Sequence, residues 1–125
     1  NQMGVAAAIT ASGLARDEVF VLSKVPGCGA DPILPQTPEV CYSGTKAALQ
    51  TDLQLLRTDY VDAMLIHFPP GTFGGNISGC SSAAACELVR AQWRAMEEFY
   101  HAGGARAIGV SNYCESCLEC LRTGN

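Results

Sequence analysis

Tyr60-Val61-Asp62-Ala63-Met64-Leu65-Ile66, closed by His67, is a short apolar run without helical spacing. A run of this length predicts a strand buried on both faces, as strands in parallel sheets are. Upstream, Thr37-Pro38-Glu39 opens a helix: Thr caps, Pro fits the first helical position, and Glu meets the positive end of the dipole. Leu49, Leu53 and Leu56 continue that helix at helical spacing. Downstream, Ala85, Leu88, Val89, Trp93, Met96 and Tyr100 form the apolar stripe of another helix, capped by Ser81 or Ser82 and ended by Gly103-Gly104. The alternation continues outward. Val19-Phe20-Val21-Leu22 predicts an earlier strand, behind an alanine-rich helix over 1–13 that Gly13 stops. Ala105–Val110 predicts a third strand, and a last helix is expected from near Tyr113. Helices alternating with strands in this order give an α/β fold, a parallel sheet with right-handed crossovers. Two irregular stretches, 26–36 and 68–82, interrupt it; the second holds Pro69-Pro70 and long enough loops are often functional.

Composition limits the function classes. The 125 residues suffice for one domain, and 48% apolar against 16% charged excludes a disordered chain. A net charge of −4 without a basic run argues against nucleic acid or an anionic membrane as partner. No apolar stretch approaches the roughly 20 residues needed to span a bilayer. The seven cysteines are odd in number and irregularly spaced, which argues against a secreted disulfide framework and predicts the reduced thiols of a cytoplasmic protein. Cys114, Cys117 and Cys120 share one broad face of the last helix. A structural zinc site takes four ligands, so no metal is expected there; inert thiols are, with Cys114, nearest the helix start, as the candidate for reactivity.

Chemistry in parallel α/β folds gathers at the carboxyl ends of strands. Lys24 follows Val19–Ser23, His67 follows Ile66, and Ser111-Asn112 follows Val110. Each has an ordinary explanation: a solvated lysine, a structural histidine, a helix cap. Three such features on three successive strand ends predict the active-site rim of an α/β enzyme, with the reaction left open.

These residues also carry a resemblance. Leu65-Ile66-His67-Phe68-Pro69 resembles the Leu-Ile-His-aromatic-Pro motif of aldo-keto reductases, and Ala107-Ile108-Gly109-Val110-Ser111-Asn112-Tyr113 resembles their Ile-Gly-Val-Ser-Asn-aromatic motif. Phe20-Val21-Leu22-Ser23-Lys24 is similar to their strand ending in Thr/Ser-Lys. Asn1-Gln2, with Val5 and Ala8-Ile9, is similar to the helix just past the family's catalytic Tyr, where Gln2 replaces the usual Glu. Leu53 to Asp62 and Trp93-Arg94-Ala95-Met96-Glu97 match in the same order, so the resemblance covers essentially the whole chain.

The resemblance implies a (β/α)₈ TIM barrel and the NAD(P)H-dependent reduction of an aldehyde or ketone to an alcohol. Lys24 and His67 carry over as catalytic residues: Lys24 lowers the pKa of a proton-donating Tyr, and His67 orients the carbonyl oxygen. Ser111 and Asn112 carry over as the pair holding the nicotinamide carboxamide, and His67 with Phe68 as substrate-binding residues. Phe73 falls in the same loop. NADPH is the expected cofactor, with NADH possible, and a small carbonyl compound the expected partner. The catalytic Tyr belongs two residues before Asn1 and its Lys-pairing Asp further upstream. A barrel of this type takes about 250 residues. Residues 1–125 are therefore expected to be the central part of a single barrel domain, truncated at both ends and inactive alone. The alternative is a non-catalytic half-barrel that binds or assembles by pairing its open edges, since three strands cannot close a barrel.

Overall fold

The computed structural model describes residues 1–29, 36–70, 80 and 82–122. Helix α1, Gln2–Ser12, ends at Gly13, whose φ of 71° is the left-handed conformation that glycine adopts without strain. A 3₁₀ turn at Arg16–Glu18 leads to β1, Leu22–Val25. Helix α2, Pro38–Leu56, begins as its sequence predicts: Thr37 Oγ1 accepts the Val40 N–H at 3.3 Å, with Pro at the first turn. Then follow β2, Ala63–Ile66, α3, Ala83–His101, β3, Ile108–Val110, and α4, Glu115–Arg122. Ser82 caps α3 through the Ala85 N–H; Ser81, the other candidate, lies outside the described residues.

The strands form one parallel sheet in the order β1-β2-β3. Among the described residues, β2 and β3 are shorter than the sequence predicts, and β1 is displaced towards the carboxyl side of the predicted Val19–Leu22. Val19 still closes the 3₁₀ turn onto the Arg16 carbonyl, and the Val21 carbonyl takes the N–H groups of both Asp62 and Ala63, so regular pairing starts only at Leu22 opposite Ala63. At the other side, Val61 and Ala105 make a single parallel bridge before β2 and β3 join in register, Met64 opposite Ile108. Lys24 is consequently inside β1 and not beyond it.

Alternation along the strands separates two faces. Val21, Val25, Met64 and Ile66 pack against Leu49 and Leu56 of α2 and Met96 and Phe99 of α3, forming the main core. Leu22 and Lys24, then Leu65 and Gly109 in register with Lys24, belong to the opposite face. That face is open at β1, where Phe20 is 74% and Leu22 47% exposed. The apolar stripe of α3 is rotated from the predicted one. Val89, Gln92, Ala95, Met96 and Phe99 are buried, whereas Tyr100 is exposed and Trp93 is half-buried with its indole N–H donated to Glu97. The stripe follows what α2 and β2 cover, which residue hydropathy alone did not reveal.

The amino end of the sheet is closed by charge. Asp62, 6% exposed, accepts from the Val21 N–H at 2.9 Å and from the guanidinium groups of Arg16 at 2.9 Å and Arg106 at 3.1 Å. Both guanidinium groups also lie over the Tyr60 ring. The Val21 N–H first, then the two arginines, hold the Asp62 carboxyl below the ordinary carboxylate range, against the opposing effect of desolvation. Because the folded-state pKa is depressed, the stabilisation is fully present above the unfolded value of about 3.9 and is lost as pH falls through the lower folded value. Asp62→Ala strands the Val21 N–H and is expected to cost about 3 kcal/mol near neutral pH, measured by urea unfolding. The gap between variant and parent should narrow below pH 4 or so; a gap that widens there overturns the assignment.

Candidate active-site rim

The carboxyl ends of the strands bring Lys24, His67 and Ser111-Asn112 to one rim. Hydrogen bonding carries the ladder one step past the strands: the His67 N–H donates to the Val25 carbonyl and the Ser111 N–H to the Ile66 carbonyl, each at 2.8 Å. By alternation His67 follows Leu65 and Ser111 follows Gly109 on the face to which Lys24 belongs, the face opposite α2 and α3. The convergence expected from sequence is therefore one of side as well as of level.

Asn112 turns the chain out of β3. Its φ of 60° is left-handed, which Asn tolerates better than most side chains. In that conformation its Nδ2 donates to the His67 carbonyl at 2.8 Å and to Ser111 Oγ at 3.1 Å. Helix α4 begins only at Glu115, so Ser111 and Asn112 do not cap it; Cys114 stands at that position. Tyr113 packs into both buried clusters, and burial raises its hydroxyl pKa far above the usual value. Phe68, at the margin of exposure, stacks on the His67 ring with centroids 4.3 Å apart. Phe73 lies outside the described residues. Among the described residues no acidic group pairs with Lys24, which is itself exposed.

The turn after Lys24 is fixed by residues that the sequence reading did not single out. Gln92 of α3 is 1% exposed. Its Nε2 donates to the Pro26 carbonyl at 2.9 Å and to Thr45 Oγ1 at 3.0 Å, and its Oε1 accepts the Cys28 N–H at 3.2 Å. A disulfide joins Cys28 to Cys41 of α2, with Cα atoms 5.2 Å apart. Gly27 lies so close to the Phe68 carbonyl that a Cβ there would collide with it, so the exits of β1 and β2 pack backbone to backbone. The available signal for Gln92 was its spacing, three residues after Val89 and four before Met96, inside an otherwise apolar face. Gln92→Leu leaves the Cys28 N–H and the Pro26 carbonyl without their partner and is expected to cost about 3 kcal/mol, measured by denaturant unfolding. A loss within about 0.5 kcal/mol would show that the turn does not depend on it.

The expectation of reduced thiols is overturned. Cys28–Cys41, Cys80–Cys117 and Cys86–Cys120 are disulfide-bonded, and Cys114 alone is free. Sequence spacing did not show this because each partner comes from a different element. The last two bonds tie Cys80 and α3 to α4 around Val89.

Gln2, where a Glu was the resemblance's expectation, donates its amide to Asp52 at 2.7 Å. A carboxylate in its place would face the buried Asp52 carboxylate.

The chain matches the model of the Aldo/keto reductase family over residues 1–122. It is 34% identical over 119 residues to the glyoxal reductase of Bacillus subtilis, covering 95% of this chain and 34% of that protein. Among solved structures it is similar to an aldo/keto reductase from Brucella melitensis, with 32% identity, a TM-score of 0.73, and coverage of 99% of this chain and 40% of the other. It is also similar to a Bombyx mori aldo-keto reductase in complex with NADP, at 28% identity and a TM-score of 0.63, covering 99% and 35%. The chain thus spans about a third of the curated relative and somewhat more of the first solved structure. Its three parallel strands and their helices correspond to part of the TIM barrel of those structures.

Proposed function

Because the chain belongs to the aldo/keto reductase family, we propose that residues 1–125 are the central part of one barrel domain of an NAD(P)H-dependent carbonyl reductase. The observation that carries this is the placement of Lys24, His67 and Ser111 on one side of one rim.

The rim suits a nicotinamide carboxamide, which offers an N–H donor and a carbonyl acceptor. Asn112 Nδ2 is engaged by the His67 carbonyl and Ser111 Oγ, so Asn112 Oδ1 remains to accept from the amide. Ser111 Oγ accepts from Asn112, which directs its own proton outward to the amide carbonyl. When bound, reduced nicotinamide supplies the hydride. Lys24 provides a positive charge that favours the ionised form of a tyrosine brought from elsewhere in the barrel, whose unperturbed pKa of about 10 suits proton transfer poorly at neutral pH. His67 donates a hydrogen bond to the substrate carbonyl oxygen and orients it, with Phe68 stacked beside it as an apolar wall. NADPH is the favoured cofactor. A small aldehyde, ketone or dicarbonyl is the favoured substrate class, the last suggested by the B. subtilis relative.

No helix among the described residues is long and apolar enough to cross a membrane. The disulfides weigh against the cytoplasmic setting expected from sequence, because reducing compartments keep thiols reduced.

The test is consumption of NADPH or NADH by the whole protein in the presence of small aldehydes, ketones and dicarbonyls. Carbonyl-dependent oxidation with alcohol formation is expected. Binding of nucleotide without turnover of any carbonyl overturns the reading. The exposed Phe20 and Leu22 favour one other role, a half-barrel that assembles through its open face. Discrete dimers of these 125 residues alone, with their β1 faces protected from labelling, would support that role instead.

A further inference from the structure

We propose that Cys80, Cys114 and Cys117 form an internal thiol–disulfide exchange site, in which the bond linking Cys80 to Cys117 passes to Cys114 and frees the Cys80 thiol. The proposal does not rest on the reductase reading.

The three sulfurs come together from two places in the chain. Cys117 and Cys80 are bonded, with Cα atoms 4.9 Å apart, and both are buried, Cys117 completely. Their disulfide is shielded from thiols in solution. Cys114 is not so shielded, and its Sγ lies 3.4 Å from Cys117 Sγ. It reaches the buried disulfide from within the protein and needs no opening of the fold to make contact.

The surroundings favour Cys114 as the attacking group. It stands immediately before Glu115, the first residue of α4, and its carbonyl accepts the N–H groups of Cys117 and Leu118. A thiol at a helix start, separated by two residues from a second cysteine, lies where the helix's free N–H groups stabilise negative charge. The Ser116 hydroxyl sits 3.2 Å from its sulfur, and this contact, followed by the Cys117 N–H, lowers the thiol's pKa below its ordinary value. The thiolate is the form that attacks a disulfide.

The step balances internally. The Cys114 thiolate forms a bond to Cys117 Sγ; the Cys117–Cys80 bond breaks; the electron pair leaves on Cys80, which takes a proton equivalent to the one Cys114 released. One thiol and one disulfide precede the step and follow it, so no oxidant or reductant is consumed. The geometry of the fold differs before and after. Cys80–Cys117 closes a span of 37 residues and ties Cys80 to α4, whereas Cys114–Cys117 is local to the start of α4. Cys86–Cys120 holds α3 to α4 in either state.

The purified protein, kept free of reductant at mildly alkaline pH, is quenched into denaturant with excess alkylating reagent, and the labelled cysteine is identified by peptide mapping. One label per chain is expected, divided between Cys114 and Cys80. In Cys114→Ser the label at Cys80 is lost. In Cys80→Ser, oxidation gives a Cys114–Cys117 bond and no free thiol. Label confined to Cys114 at all times overturns the proposal, as do undiminished Cys80 labelling in Cys114→Ser and two persistent thiols at 114 and 117 in Cys80→Ser. More than one label per chain in the parent protein also overturns it, because the disulfide to be exchanged would then not exist.

Discussion

Under the proposed function, Lys24→Met is expected to lower turnover of the whole protein by about 10³-fold, equivalent to about 4 kcal/mol in the activation barrier, and to leave nucleotide affinity close to that of the parent. Lys24 lies in β1, one residue short of its end, on the face it shares with Leu65 and Gly109. In the proposed mechanism its ammonium acts on the proton donor and not on the proposed carboxamide site at Ser111 and Asn112, two strands away. Methionine preserves the length and the apolar stem but removes the charge, so the strand and the core behind it, with Val25 and Ile66, are untouched. The expected signature is a fall in kcat, an unchanged nucleotide Kd, and an alkaline displacement of the pH–rate profile as the proton donor loses its cationic neighbour. Near-normal kcat in this variant removes Lys24 from the mechanism. A parallel loss of nucleotide binding would assign it to the cofactor site instead.

Reducing the disulfides under otherwise native conditions lowers the melting temperature by on the order of 10 °C. Cys80–Cys117 and Cys86–Cys120 span 37 and 34 residues, and closing a loop of that size restricts the unfolded chain by about 4 kcal/mol in the chain-entropy account. The two loops share most of their residues, so the second bond adds less than the first. Together they bind the start of α3 to α4, where the apolar contribution comes mainly from Val89. Cys28–Cys41 closes a shorter span of 13 residues and secures the turn after β1. Calorimetry with and without a phosphine reductant provides the measurement. Superimposable melts, with thiol titration confirming that reduction was complete, would show that these bonds contribute nothing to stability.

Much of this was legible in the residues themselves. The apolar run ending at His67 and the capped helix from Thr37 are local features, set by side-chain shape and by backbone groups within a few residues. Their alternation was enough to give parallel strands, and the strand ends then located Lys24, His67 and Ser111-Asn112. Strand limits were less legible, because Val19, Val61 and Ala105 have the composition of strand residues, yet Val19 closes a 3₁₀ turn and Val61 and Ala105 make only an isolated bridge before the register begins. Gln92 was hidden for a related reason: its partners, Pro26, Cys28 and Thr45, lie 47 to 66 residues away.

The cysteines show the division most clearly. Sequence alone determined that seven thiols exist, that three share one face of the last helix, and that Cys114 stands at its start. Only tertiary structure decided which of them meet. Disulfide pairing needs Cα atoms about 4.4–6.8 Å apart, a condition on distance in space that spacing along the chain does not contain. The packing of α3 and α4 around Val89 brings Cys80 to Cys117 and Cys86 to Cys120, and leaves Cys114 free beside a bond that it can attack.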